Sequence, residues 1–258
     1  MKKNRLAGFL RSSASPRTGT ITRARRGAAV LAMAAAVAMQ MACTDIVKFS
    51  PAAAMATFAP TDVPFAFTRD ADFGTFQPSA EARELANAIL HAGDHARADF
   101  IIVDKRDAKL YVFGNDGALR GATAVLLGSA RGDHSVPDIG VRPMDKVRPE
   151  ERTTPAGRFM AERGVNTLGE DIVWVDYDAA VSMHRVRAVN AKERRLERLA
   201  TPSADDNRIS YGCINIPVVF FETLVAPLFT AQRAVVYILP EVKPLHEVFS
   251  FYAFPKRN

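Results

Sequence analysis

Two side chains in the sequence could together make and break an acyl bond, Cys213 and His184. Cys213 lies in Arg208-Ile209-Ser210-Tyr211-Gly212-Cys213-Ile214-Asn215-Ile216-Pro217, a strand-like start that passes through glycine into the thiol and is expected to enter a helix. A helix N-terminus and unpaired amides lower a thiol pKa from about 8.5, and the same amides can hold the oxyanion of a tetrahedral intermediate. Gly212 offers no side chain to block an approaching carbonyl. His184, in Ser182-Met183-His184, follows the hydrophobic run 173–181 and is expected at a strand end, where a side chain reaches a cleft. Its imidazole would take the thiol proton and later handle an incoming amine.

A lone cysteine is ordinarily a small buried apolar side chain. Export changes that balance, because an oxidising compartment pairs or oxidises free thiols, and an unpaired cysteine in a Gly-flanked turn is then a better nucleophile candidate. Only Cys43 could pair with Cys213, and only if it survives processing. His91, His95, His134 and His246 stand at no spacing that joins Cys, Asp or Glu into a metal site. His91 and His95 read as surface or helix-end residues, and His134 reads as a loop residue that could touch substrate.

The elements that must position the pair are mainly β. Short β-branched or aromatic runs fall at 100–103, 109–113, 122–127, 158–161, 172–175 and 234–239, with Asn115-Asp116-Gly117 as a hairpin signal. A helix is expected over 79–92, capped by Ser79, stopped by Gly93, with Ala82, Leu85, Ala86, Ile89 and Leu90 on its apolar face. Two more helical patterns fall at 191–199 and 217–229. The segment 128–152, with Gly and Pro scattered among charges, is a long loop, read either as a surface excursion or as the wall of a substrate cleft. The expected organisation is a signal segment at 1–42, an N-terminal arm and short helix at 43–97, one catalytic domain at 98–240 and a C-terminal tail at 241–258.

Lys2, Lys3, Arg5, Arg11, Arg17, Arg23, Arg25 and Arg26 precede an apolar run from Ala28 to Ala42, the pattern of a secretory signal. That run is shorter than the roughly twenty residues a bilayer span requires. Without the signal the net charge moves from +6 to about −2, with basic and acidic residues interspersed, which argues against a nucleic-acid partner. Gln40-Met41-Ala42-Cys43 resembles a lipoprotein cleavage site, with Ala54-Met55-Ala56 as its rival, and a lipid on Cys43 would be the one tie to a membrane. Arg25-Arg26 suggests twin-arginine export only weakly. The expected location is the periplasm or cell envelope.

The segment Ser210-Tyr211-Gly212-Cys213-Ile214-Asn215 resembles the catalytic motif of the L,D-transpeptidase (YkuD-type) family, Ser-His-Gly-Cys followed by Arg or Asn, with the base histidine upstream. Ile102-Val103-Asp104-Lys105, the hairpin through Asp116-Gly117, and Thr154-Pro155-Ala156-Gly157-Arg158-Phe159 resemble further landmarks of that family in the same order, over about 100–240. The resemblance implies an L,D-transpeptidase-like β-sandwich with a few short helices, and a two-step acyl transfer without metal or nucleotide. Its substrates would be peptidoglycan stem peptides, with an amine or a wall-linked protein as acceptor. It assigns Cys213 as nucleophile, His184 as base, and the N–H groups of Tyr211, Gly212 and Cys213 as the oxyanion site. Ser210 and Asn215 would shape the turn or contact the donor, and Arg208 would meet a stem carboxylate. Two departures stand out: Tyr211 replaces the motif histidine, and His184 lies twenty-nine residues before Cys213 with a charged helix between them and Arg185 in place of a small residue. The same pair using water would make a carboxypeptidase or endopeptidase, and loss of activity through Tyr211 and Arg185 would leave a wall-binding protein.

Overall fold

A computed structural model describes residues 69–230 and 234–253. The signal pattern, Cys43 and the rival cleavage sites lie outside them. Among the described residues no helix is long and apolar enough to cross a membrane.

The first helix, α1 (Ala80–Ala92), has the expected caps. Ser79 Oγ accepts from the Ala82 N–H, and Gly93 closes the helix in the left-handed region at φ 66°, where glycine lacks the Cβ that would clash. Its five buried residues are the apolar face named above. That face covers one side of the sheet formed by β1 (Phe100–Asp104), β2 (Lys109–Phe113), β3 (Leu119–Ala124), β5 (Gly157–Val165), β6 (Asp171–Asp176), β7 (Val181–Arg185), β9 (Ile214–Ile216) and β10 (Ala234–Ile238). The strand order is β3-β2-β1-β10-β5-β6-β7-β9, with β1/β10 and β7/β9 parallel and the other pairs antiparallel. A separate two-stranded ribbon pairs β4 (Leu127–Gly128) with β8 (Arg208–Ser210).

The sheet-rich architecture with few helices is as expected, whereas a sandwich of two facing sheets is not what this order describes. One mixed sheet curls until its edges nearly meet: Leu126, just beyond β3, exchanges two 2.9 Å backbone hydrogen bonds with Asn215 of β9. The reason is visible in β1, β2 and β10, whose residues are apolar on both faces. Ile101, Val103, Leu110, Val112, Val236 and Ile238 enter one core, and the alternating Phe100, Ile102, Tyr111, Phe113, Val235 and Tyr237 enter a second beneath α1. The segments expected as arm and tail join this second core through Phe73, Leu245 and Phe249. Asp72 also bridges Ala118 next to the hairpin.

Two expectations at the site change. The run 173–181 is not one strand, because the chain turns at 177–180 between β6 and β7, and His184 stands within β7. Cys213 leads not into a helix but into β9, since Ile214 and Ile216 are both buried and pair in parallel with β7. The helix starts later, as α3, in segments Val218–Phe220, Phe221–Val225 (a π-helix) and Ala226–Leu228. The charged segment forms a 3₁₀ turn at Ala191–Glu193 and α2 (Arg195–Ala200).

Candidate active site

The parallel pairing of β7 with β9 sets Met183 opposite Ile214 and His184 opposite Asn215. Cys213, one residue before β9, thereby falls beside Ser182 and His184, and all three meet. Cys213 Sγ lies 3.5 Å from Ser182 Oγ and 3.5 Å from the Ala180 carbonyl, and the thiol hydrogen-bonds His184. His184 Nδ1 lies 2.8 Å from the Arg185 carbonyl. With Nδ1 protonated and donating there, Nε2 is the nitrogen left to receive the thiol proton. Both Cys213 and His184 are half-buried.

The electrostatics reinforce the pair. Burial alone would raise the Cys213 thiol, but the hydrogen bond and charge of His184, with help from the Ser182 hydroxyl and main chain, bring it below the ordinary value. Burial alone would likewise lower the imidazole. The hydrogen bond to Cys213 and the thiolate charge outweigh it and raise His184, against a smaller opposing push from the Arg195 guanidinium. No helix dipole is needed for the thiol shift.

The turn that carries Cys213 is tightly built. Ser210 Oγ donates to the Cys213 carbonyl at 2.6 Å and accepts from the Gly212 N–H at 3.1 Å. The Gly212 N–H is thus spent inside the turn and is removed from the expected oxyanion set. Gly212 has φ +135°, and a Cβ there would lie 2.8 Å from the Thr153 carbonyl oxygen. Asn215, fully buried, reaches the Cys213 carbonyl with Nδ2 at 3.3 Å, so it and Ser210 both hold the turn from within. Arg208 does not face the site: only 8% of its side chain is exposed, and it pairs with Glu241 and donates to the Lys105 carbonyl at 2.7 Å. A buried guanidinium already neutralised has no call on a substrate carboxylate, which corrects the role the resemblance implied.

Several residues around the site were not singled out from sequence. Ala180, at φ 53°, turns its carbonyl onto the sulfur. Thr154 Oγ1 donates to the Gly212 carbonyl at 2.8 Å and accepts from the Gly128 N–H at 2.9 Å. Arg195, from the inserted α2, donates to Asn215 Oδ1 at 2.5 Å. Thr154 sat in a recognised motif, but its partner was visible only in three dimensions. Nothing in the pattern 191–199 marks Arg195 apart from its charged neighbours. The long loop folds into short 3₁₀ turns, and Gly140 packs so closely on Asp178 and Ala180 that a side chain there would clash. It therefore walls the turn that touches Cys213. His134 gives its carbonyl to Thr153 Oγ1 at 2.6 Å while its side chain is exposed. On the far side of His184 opens a cleft of about 510 Å³ whose lining includes Arg163, Ile172, Arg185, Arg187 and Glu222.

No protein-family model and no curated protein matches the chain. Solved structures similar to it include an Enterococcus faecium L,D-transpeptidase at 18% identity, covering 55% of this chain and 50% of that one with a TM-score of 0.30. A Xylanimonas cellulosilytica L,D-transpeptidase is similar at 15% identity, covering 55% and 60% with a TM-score of 0.35. The helical cell shape determining protein Pgp2 from Campylobacter jejuni is similar at 16% identity, covering 57% and 49% with a TM-score of 0.36. The match thus spans about half the length of such chains, and the solved structures similar to this chain include L,D-transpeptidases and Pgp2.

Proposed function

We propose that this protein is a cysteine acyltransferase of the L,D-transpeptidase type, acting on peptidoglycan stem peptides in the cell envelope. The observation that carries this is the hydrogen-bonded Cys213 and His184 pair, with the thiol shifted down and the imidazole up. The ordered sequence landmarks point to the substrate. Cys213 thiolate attacks the carbonyl that joins the third stem residue to D-Ala, while the N–H groups of Tyr211 and Cys213 meet the developing oxyanion. The C–N bond breaks, and the His184 imidazolium gives its proton to the departing amine. An acceptor amine, deprotonated by His184, then attacks the thioester carbon, and the C–S bond breaks to restore the thiolate.

Incubation with a carbapenem or a tetrapeptide stem, followed by intact mass, is expected to show one acyl adduct that Cys213→Ala removes. A variant lacking the thiol that still released D-Ala would defeat the proposal, and a wild-type chain that forms no adduct would favour a wall-binding protein. Product analysis separates transfer, which leaves a new amide, from hydrolysis, which leaves a free acid.

A further inference from the structure

Tyr211 stands where the family motif has histidine, and the structure gives it a partner. Tyr211 is 38% exposed, and the Arg152 guanidinium lies over its ring, 4.1 Å from the centroid. Arg152 ends the long loop, and the residues after it run beside the nucleophile turn: the Thr153 carbonyl faces Gly212, and Thr154 Oγ1 donates to the Gly212 carbonyl. The guanidinium therefore stands against the residue two before Cys213.

The other arginines around the site are already matched. Arg185 meets Asp171 and Glu222, Arg195 meets Glu193, and Arg208 meets Glu241. Among the described residues no carboxylate pairs with Arg152. One terminal nitrogen donates to the Val147 carbonyl at 3.2 Å, and Nε is enclosed without an acceptor. The two terminal nitrogens of this half-buried guanidinium keep N–H groups to spare beyond the Val147 carbonyl, and steadied on an aromatic face they suit a planar carboxylate that accepts two N–H groups.

We propose that Arg152, held on Tyr211, receives a free carboxylate of the acyl donor, namely the C-terminal carboxylate of the residue that leaves. This rests on the acyl-transfer reading of Cys213. It makes the pair a selector for donors that end one residue beyond the scissile carbonyl. Tyrosine in place of histidine then supplies the platform rather than a base.

The test is binding of a tetrapeptide stem, as free acid and as C-terminal amide, to the full chain carrying Cys213→Ala, measured by calorimetry. The acid is expected to bind about tenfold tighter than the amide. Adding Arg152→Gln should erase that difference while leaving the amide bound as before, Arg152→Lys should keep part of it, and Tyr211→Leu should weaken it. Equal binding of the two peptides, binding of neither, or a preference that survives Arg152→Gln would overturn the proposal. So would loss of amide binding in the Lys variant, which would mark Arg152 as structural. Failure of the acyl-transfer reading would show separately, as wild-type Cys213 that carries no adduct.

Discussion

Because the Cys213 thiol is shifted down and the His184 imidazole up, each charged form favours the other, and the thiolate beside an imidazolium is easier to form than from two isolated groups. Alkylation of Cys213 by iodoacetamide should therefore begin below the roughly 8.5 of an ordinary thiol, since the thiolate appears once pH exceeds the lowered value. His184→Gln removes the hydrogen bond and the positive charge that lower the thiol but leaves the burial that raises it. The onset should move upward, and alkylation at pH 7 should fall about tenfold or more. An onset unchanged by this substitution would mean that the imidazole does not act on the sulfur. Arg195 opposes the imidazolium, so Arg195→Gln should shift the imidazole limb of the acylation profile to higher pH.

At the scale of elements, the site depends on two strands and a brace. The β7/β9 register brings Ser182, His184 and Cys213 together, and Thr154 ties the turn to the neighbouring chain through Gly212 and Gly128. Thr154→Val keeps the shape but leaves a buried carbonyl and a buried N–H without partners, a cost of about 1–3 kcal/mol. Urea denaturation should show that loss, and acylation of Cys213 should slow because the turn is no longer fixed. Gly212→Ala should be more damaging to activity than to solubility. Its φ of +135° disfavours a side chain, and the added Cβ would press on the Thr153 carbonyl, so the turn carrying Cys213 must shift.

At the scale of the whole molecule, one buried polar hub joins the long loop, β1, β8 and the chain after β10. Lys105 is fully buried, and Nζ donates to the Gly132 carbonyl at 2.5 Å, Asp133 at 2.8 Å and the Thr154 carbonyl at 2.9 Å. Asp133 in turn accepts from the N–H groups of Glu241, Val242 and Lys243. Burial alone would raise the Asp133 carboxyl, but Lys105 and these amides hold it at about 2. A depressed carboxylate contributes stability that is present above its unfolded value near 4 and is lost as pH falls toward 2. The urea midpoint of wild-type protein should drop through that interval more steeply than that of Asp133→Asn. Lys105→Met should cost about 3–5 kcal/mol at neutral pH, because it strands the Asp133 carboxylate in the interior without its cation.

The sequence by itself determined the first helix with both caps and its buried face, most strands to within a few residues, and Cys213 and His184 as the candidate pair. These are local properties: capping, periodicity and residue chemistry leave their marks within a few positions of where they act. Closure of the sheet at Leu126 and Asn215, the turn that splits 173–181, the strand rather than helix after Cys213, and the buried fate of Arg208 were decided only by tertiary structure. Each depends on which distant segment arrives alongside. Ile214 and Ile216 become a strand because β7 lies open beside them, and Arg208 is neutralised because Glu241, thirty-three residues onward, folds back against it.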